Sequence, residues 1–242
     1  MFAIMLTGIL MGIHIAFAFA VTALIGNILI FGDGDLQEGF NIAMSGLGSV
    51  AYEYLRSEVF AAIPLFMLLG DFVNKSGSAR DLYKLINHTL KFIPGRLAVA
   101  TVAGNAVFAA VTGVSIAAAA AFSRIAYPQM RYHGYDRQFA LGSACLGMII
   151  PPSVLLIVWG IIAEKSISQL FMAGAIPGLV LASFFMIYIS ITATVNPKIA
   201  PKFDETAEQS TLTFAEIASG IGIGLLILLI MGGIWGGLFT PS

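Results

Sequence analysis

The stretch LAVATVAGNAVFAAVTGVSIAAAAAFS, residues 97–123, decides how this chain folds. It runs 27 residues without a charge, and 11 of them are alanine. A basic segment follows, and then FALGSACLGMIIPPS, residues 139–153, an apolar run that stops at Pro151-Pro152. Both read as membrane segments interrupted at mid-depth. In a bilayer, irregular backbone persists only where it is buried in protein or lines a cavity. Two interruptions in neighbouring segments therefore point to a binding site inside the membrane.

Composition agrees with a membrane setting. The chain of 242 residues is 58% hydrophobic and only 10% charged, where a soluble domain carries about 25% charge. The expected fold class is an all-α polytopic membrane protein. A net charge of −1 gives no reason to expect nucleic acid as a partner. The single cysteine, Cys145, excludes an intrachain disulfide and a cysteine-based metal site. His14, His88 and His133 are scattered without ligand spacing. No nucleophile–base pair or HExxH-like motif appears, so neither an enzyme nor a cofactor is expected. The first Lys or Arg is Arg56. The basic n-region of a cleavable signal is therefore missing, and the first apolar run is read as a retained span.

Outward from the central stretch, residues 1–31 read as one uncharged span, longer than the ~20 residues a crossing helix needs, so that it either tilts or ends near Gly26-Asn27. FGDGDLQEGFN is an acidic, Gly-rich loop. Residues 42–56 suit a helix lying at the interface. Residues 58–73 form a short span with Pro64 inside, ending near an interfacial Asp71. Residues 170–192 and 214–239 read as further spans, and 138–163 as the proline-broken one. Trp159 and Trp235 suit membrane interfaces, and Trp235 equally suits packing inside. Three regions are expected: 1–95 as scaffold, 96–169 as the transport element, and 170–242 as closing spans.

Charge decides how residues 97–123 run. If they crossed the membrane once, the basic loops at 75–96 and 124–137 would lie on opposite faces, against the positive-inside rule. If they enter and return, each leg has ~12 residues, about 18 Å at 1.5 Å per residue. That reaches the middle of a core about 30 Å thick. Ten of the twelve basic residues then share one side, leaving Arg56 and Lys165 opposite. The reading is a re-entrant hairpin entering from the cytoplasm, with the N-terminus cytoplasmic and residues 32–58 on the far side.

The hairpin tip is Thr112-Gly113-Val114-Ser115. Gly113 permits the reversal. The first leg ends there with carbonyls lacking intrahelical partners, and the second begins there with N–H groups and the positive dipole end. Oxygen donors suit Na⁺, and N–H groups suit a carboxylate. Local sequence alone fits equally a Gly-containing kink in a packing helix; the charge argument selects the hairpin. Pro151 and Pro152 remove two backbone donors, which frees the carbonyls of Gly147 and Met148. Ser153 then opens a half-helix running to Ala163. The candidate ion and substrate residues are Asn105, Thr112, Gly113, Val114, Ser115, Gly147, Met148, Pro151, Pro152 and Ser153, with Na⁺ at Gly113, Ser115 and Gly147. Asn105 reads also as interhelical glue, and His14 as a satisfied packing histidine, with a proton relay as the alternative.

The order of these pieces resembles the large membrane subunit of tripartite ATP-independent periplasmic (TRAP) transporters, the DctM family. The resemblance rests on GIHIAFAFA at 12–20, AAIPLFMLLGDFVNKSG at 61–77 and TGVSIAAAAAFSRIAYPQMRYHGYD at 112–136. It continues in LGMIIPPSVLLIVWGIIAEKSISQLFMAGAIPGLVLA at 146–182 and GGIWGGLFTPS at 232–242. The resemblance implies a Na⁺-driven, elevator-type secondary transporter of the bacterial inner membrane. It implies a small membrane subunit and a periplasmic substrate-binding protein as partners. Organic acids such as C4-dicarboxylates or sialic acid are the implied cargo. The family often has Pro where His14 stands. Family members contain two inverted repeats, and this chain supplies one hairpin and one break, so it is expected to be the N-terminal half, either a fragment or one of two chains. A channel subunit or membrane scaffold assembled from half-chains is the alternative.

Overall fold

The computed structural model describes residues 1–32, 35–56, 58–145, 150–201 and 212–239. All regular structure among them is α-helical, in two compact units, Met1–Phe60 and Ala61–Ser242.

In the first unit the expected single span is two helices. α1 (Phe2–Leu10) and α2 (Ile15–Phe31) are separated by a turn in which Gly12 takes φ +83°. The turn closes when the Ile13 N–H donates to the Gly8 carbonyl at 3.1 Å. His14 is not a packing histidine. It is exposed and caps α2, its Nδ1 accepting from the Ala16 N–H at 3.4 Å. α3 (Leu36–Arg56) starts six residues earlier than the interfacial helix expected at Ile42. Asp35 explains the earlier start, because its Oδ1 accepts from the Gln37 N–H at 2.8 Å and caps the first turn. α2 and α3 close on each other through two glycines: a Cβ at Gly39 would lie 2.8 Å from Gly32 Cα. Outward-facing Phe17, Leu29, Ile30 and Leu36 are more than half exposed, as suits helices surrounded by hydrocarbon rather than water.

In the second unit, α4 (Glu58–Lys75) carries Pro64 inside and ends on an exposed Asp71–Lys75 ion pair. The segment 75–96, expected as a basic loop, contains α5 (Ser78–Thr89). Ala79, Leu82, Tyr83 and Ile86 fall at i, i+3, i+4 and i+7, which is a helical face, and Tyr83 is fully buried. α6 (Arg96–Thr112) and α7 (Ser115–Tyr132) form the hairpin. Its legs have 17 and 18 residues, longer than the ~12 expected. α7 continues past Arg124, which is exposed, so the charge does not end the helix. α8 (Arg137–Cys145) and α9 (Val154–Ile162) flank the proline break, whose Pro151-Pro152 peptide is cis. α10 (Ile167–Val195) and α11 (Phe214–Trp235) are the two helices long and apolar enough to cross a membrane among the described residues. Trp159 and Trp235 are 57% and 48% exposed, so neither is a core residue.

The core of this unit is the hairpin clasped by α5, α8, α10 and α11. Glycines set the close approaches: a Cβ at Gly220 of α11 would stand 2.7 Å from Leu85 Cδ2 of α5, and one at Gly95 would stand 2.7 Å from Ala193 Cβ of α10. Lys84 of α5 and Glu216 of α11 are ion-paired across the same contact. Glu216 also completes a capping box with Thr213.

Candidate functional site

The hairpin reverses where the sequence placed the turn. Gly113 caps α6 in the left-handed region, φ +66°, and its N–H donates to the Ala109 carbonyl at 2.9 Å. Val114 is extended, and Ser115 opens α7. Thr112 is buried, and its Oγ1 lies 3.4 Å from both the nitrogen and the carbonyl oxygen of Val114. The hydroxyl thus sits inside the turn it closes.

The second interruption meets the first. The Val154 N–H, at the first residue of α9, donates to the Gly113 carbonyl at 2.9 Å. A Cβ on Gly113 would touch Val154 Cγ2 at 3.4 Å and the Pro152 carbonyl oxygen at 3.6 Å. Ser153 is the extended N-cap of α9 and is buried with Pro151 and Pro152. Deeper along the first leg, Asn105 is fully buried and its Nδ2 donates to the Ala144 carbonyl at 3.3 Å. That bond ties α6 to the last turn of α8, just ahead of the break. Thr112, Gly113, Val114, Ser115, Pro151, Pro152 and Ser153 are therefore drawn together, and Asn105 braces them from two turns away. Gly147 and Met148 lie outside the described residues.

Two further glycines belong to this place. A Cβ at Gly70 of α4 would come 3.0 Å from Thr112 Cβ, and one at Gly174 of α10 would come 3.1 Å from Pro151 Cγ. Their missing side chains let one helix seat against the tip and another against the break. The signal was present in the sequence as glycine within an apolar helix, a common mark of close helix approach.

Electrostatics separates the two ends of the hairpin. Around the tip the donors and acceptors are hydroxyls and backbone groups, and the nearest charge along the second leg is Arg124. Nine residues from Ser115, it lies about 14 Å from the tip. At the other end, Lys91, Arg96, Arg131, Arg137 and Lys198 gather where the α5–α6, α7–α8 and α10 ends meet. The Asp136 N–H donates to the Ile199 carbonyl at 2.8 Å, and Arg131 donates to the Tyr135 carbonyl at 2.6 Å. Burial pushes the Tyr135 hydroxyl up to about 12, despite the hydrogen bond it receives from the Leu97 backbone. The Asp136 carboxyl is held below its ordinary value, chiefly by the backbone N–H of Phe139. Such an arrangement is a neutral, dipole-lined notch at one end and a cationic surface at the other. The notch offers carbonyl and hydroxyl oxygens to a hard cation and two helix starts, those of α7 and α9, to an anion.

The family described as tripartite ATP-independent periplasmic transporter, DctM component, matches residues 2–242. The chain is 39% identical over 185 residues to the C4-dicarboxylate TRAP transporter large permease protein DctM of Pseudomonas aeruginosa, covering 75% of this chain and 42% of that one. It is 32% identical over 248 aligned positions to the ectoine TRAP transporter large permease protein TeaC of Halomonas elongata, covering 100% of this chain and 55% of that one. To the sialic acid TRAP transporter permease protein SiaT of Haemophilus influenzae it is 29% identical over 213 residues, 84% of this chain and 33% of that one. The chain spans about half the length of the curated relatives it matches or less.

Proposed function

Since the chain belongs to the DctM family of tripartite ATP-independent periplasmic transporter components, we propose that it forms one half of the permease of a substrate-binding-protein-dependent secondary transporter. The observation that carries the reading is the Val154-to-Gly113 hydrogen bond, 2.9 Å long, which joins hairpin tip and proline break into one notch. Half-helices meeting at unwound backbone are how membrane transporters build ion and substrate sites without burying full charges. The hairpin is re-entrant and opens towards the cytoplasm, which accounts for the gathering of basic residues at the far end of both legs. The membrane is the bacterial inner membrane. Residues 96–169 move as the transport element against a scaffold of residues 1–95, with 170–242 closing the unit.

Na⁺ is the coupling ion in this proposal. Gly113 already gives one carbonyl lone pair to Val154, and an amide carbonyl has a second to offer. Ser115, half-exposed at the start of α7, supplies a hydroxyl. The substrate is an organic acid, its carboxylate taken by the N–H ends of α7 and α9. Relatives named for C4-dicarboxylate and for sialic acid support that class. A small membrane subunit and a periplasmic binding protein complete the assembly, and a second hairpin supplies the opposing half of the site.

The test is uptake of a labelled dicarboxylate by the assembled transporter in vesicles, with Na⁺ replaced by K⁺. Na⁺-dependent, saturable uptake is expected, and Ser115→Ala should raise the Na⁺ concentration needed for half-maximal rate. Uptake indifferent to the exchange, or a Ser115→Ala variant with unchanged Na⁺ dependence, would remove Na⁺ from the tip.

A further inference from the structure

The outer side of α7 opens into a cleft of about 590 Å³. One wall is α7 itself, where the lining residues ahead of Arg124 are all alanine: Ala117, Ala120 and Ala121. The other wall is the turn from α4 into α5, with Asn74, Ser76, Arg80 and Asp81. Ala117, Ala120 and Arg124 stand at i, i+3 and i+7, so they share one helical face, and all three are exposed. Ala117 lies two residues from Ser115, about 3 Å along the helix axis, and Arg124 lies about 10 Å further. The cleft thus begins beside the notch and runs down the second leg, over methyl groups, to a charged end.

Among the described residues, neither Arg80 nor Arg124 forms an ion pair or a side-chain hydrogen bond. Asp81, the one acidic residue in the described lining, pairs with neither. It sits in the first turn of α5, where a carboxylate offsets the positive end of the helix. Lys75 and Asp71, one turn earlier, are paired with each other. Arg80 occupies that same first turn of α5, where a cation is unfavourable and the N-cap, Gly77, has no side chain to help. Arg124 adds a second cation to the same cleft from the hairpin. A local rule broken without compensation inside the protein marks a place where something else supplies the partner. Two guanidinium groups at the end of an uncharged passage draw an anion along it, and their planar forks match carboxylates.

We infer that this cleft is the cytoplasmic exit path of the substrate. An organic acid leaves the notch along the alanine face of α7, and its carboxylates are held at Arg80 and Arg124 before release. The inference rests on the reading of the notch as a substrate site and of the hairpin as opening towards the cytoplasm.

Charge-selective thiol labelling tests it. The assembled permease carries Ala120→Cys, with the exposed native thiol removed by Cys145→Ser, in phosphatidylcholine vesicles with the cytoplasmic face outward. An anionic, sulfonate-bearing methanethiosulfonate and its cationic trimethylammonium analogue are compared, each normalised to its rate with a free thiol in solution. Both attack the same thiol, so their ratio cancels its intrinsic reactivity. The anionic reagent should react about fivefold faster or more. Arg80 and Arg124 are exposed, so the double variant Arg80→Gln, Arg124→Gln keeps the fold, and in it the ratio should fall close to one. Lys165→Gln, outside the cleft, should keep the parent ratio. Succinate should slow the anionic reagent in the parent, at a severalfold lower concentration than sulfate at matched ionic strength, and should not slow it in the double variant. A parent ratio near one, a ratio that survives both arginine substitutions, or a thiol that reacts only after denaturation overturns the inference. Sulfate as potent as succinate overturns the assignment to substrate. Labelling needs no turnover, so a permease that fails the Na⁺ test above can still show the charge preference, and one that passes it can lack the preference.

Discussion

The two legs of the hairpin carry six alanines each and live in opposite surroundings. Of the 17 residues of α6, 14 are buried; of the 18 in α7, 5 are. α6 is apolar or small on every side, and such a helix has no face to give to anything but protein or lipid. Here it is the pillar around which α5, α8, α10 and α11 pack. In α7 the buried residues Ala118, Phe122, Ala126 and Met130 form one ridge at i+4 spacing, with Ala121 beside it. Its other side carries Ala117, Ala120 and Arg124, all exposed. Alanine thus does two different things. On α6 it lets neighbouring backbones come close, which matters because lipid offers no hydrophobic drive for helices to associate and packing must supply it. On the outer side of α7 it leaves room.

The sharpest way to break this contrast is to add bulk to each leg. Gly104 on α6 faces the Phe122 ring so closely that a Cβ there would overlap it. Gly104→Leu should abolish the folded protein, seen as loss of a monodisperse peak on size exclusion. Ala120→Leu on the open side of α7 should leave that peak intact. If both variants behave alike, the asymmetry of the legs is wrong.

A smaller effect comes from removing bulk. Phe122 is fully buried and packs edge-to-face on Phe108, at 5.8 Å between ring centres, and on Tyr83 at 6.4 Å. Phe122→Ala should destabilise by about 3–5 kcal/mol through the cavity it leaves. Ile116, on the same leg but 81% exposed, should change stability by less than about 0.5 kcal/mol when cut to alanine. Thermal shifts of the two variants in one detergent compare them directly.

Gly113 gives a third, intermediate test at the junction of the legs. Its φ of +66° strains any residue with a Cβ by about 1–2 kcal/mol. Gly113→Ala should therefore fold with a modestly lowered melting temperature. Gly113→Val, with two more methyls pressed towards Val154 and Pro152, should fold less well and lose transport. A Gly113→Val variant with full transport would show that the Val154 contact at the tip is dispensable.

The sequence made the tip legible because a reversal needs a residue that tolerates positive φ, and only one glycine lies near the middle of the uncharged stretch. The break was legible because two prolines cannot be absorbed by one helix. What the sequence hid is instructive. α5 was obscured by its charges: Arg80 and Lys84 drew attention to topology, while Ala79, Leu82, Tyr83 and Ile86 carried a helical face all along. The division of the first span at Gly12 was obscured by uniform hydrophobicity, which has no period to interrupt. Gly70 and Gly174 escaped notice because a glycine in an apolar helix does not say which neighbour it admits. That the two interruptions touch followed from neither motif alone; it needed the path of α8 and α9 past the hairpin.

The smallest expected effect separates how each leg holds α8. The buried leg grips it through Asn105 and Ala144, whereas the exposed leg is joined to it by the short turn around Asp136. That carboxylate caps α8, and the Phe139 N–H, its largest influence, holds the carboxyl below its ordinary value. A depressed folded-state value means the ionised form is favoured on folding, so the contribution is present above the unfolded value, about 3.9 for aspartate. It is lost as pH falls through the folded one. Asp136→Asn keeps an N-cap acceptor but removes the charge. The melting temperature of the parent should therefore exceed that of Asp136→Asn by a constant small margin at neutral pH, and the margin should shrink towards zero below the ordinary carboxylate range. Asn105→Ala, by contrast, removes an uncharged contact, and its deficit should not vary over the same pH range. A margin for Asp136→Asn that stays flat into acid would show that the cap works through hydrogen-bond geometry alone. The exposed leg would then hold α8 as the buried one does, without help from charge.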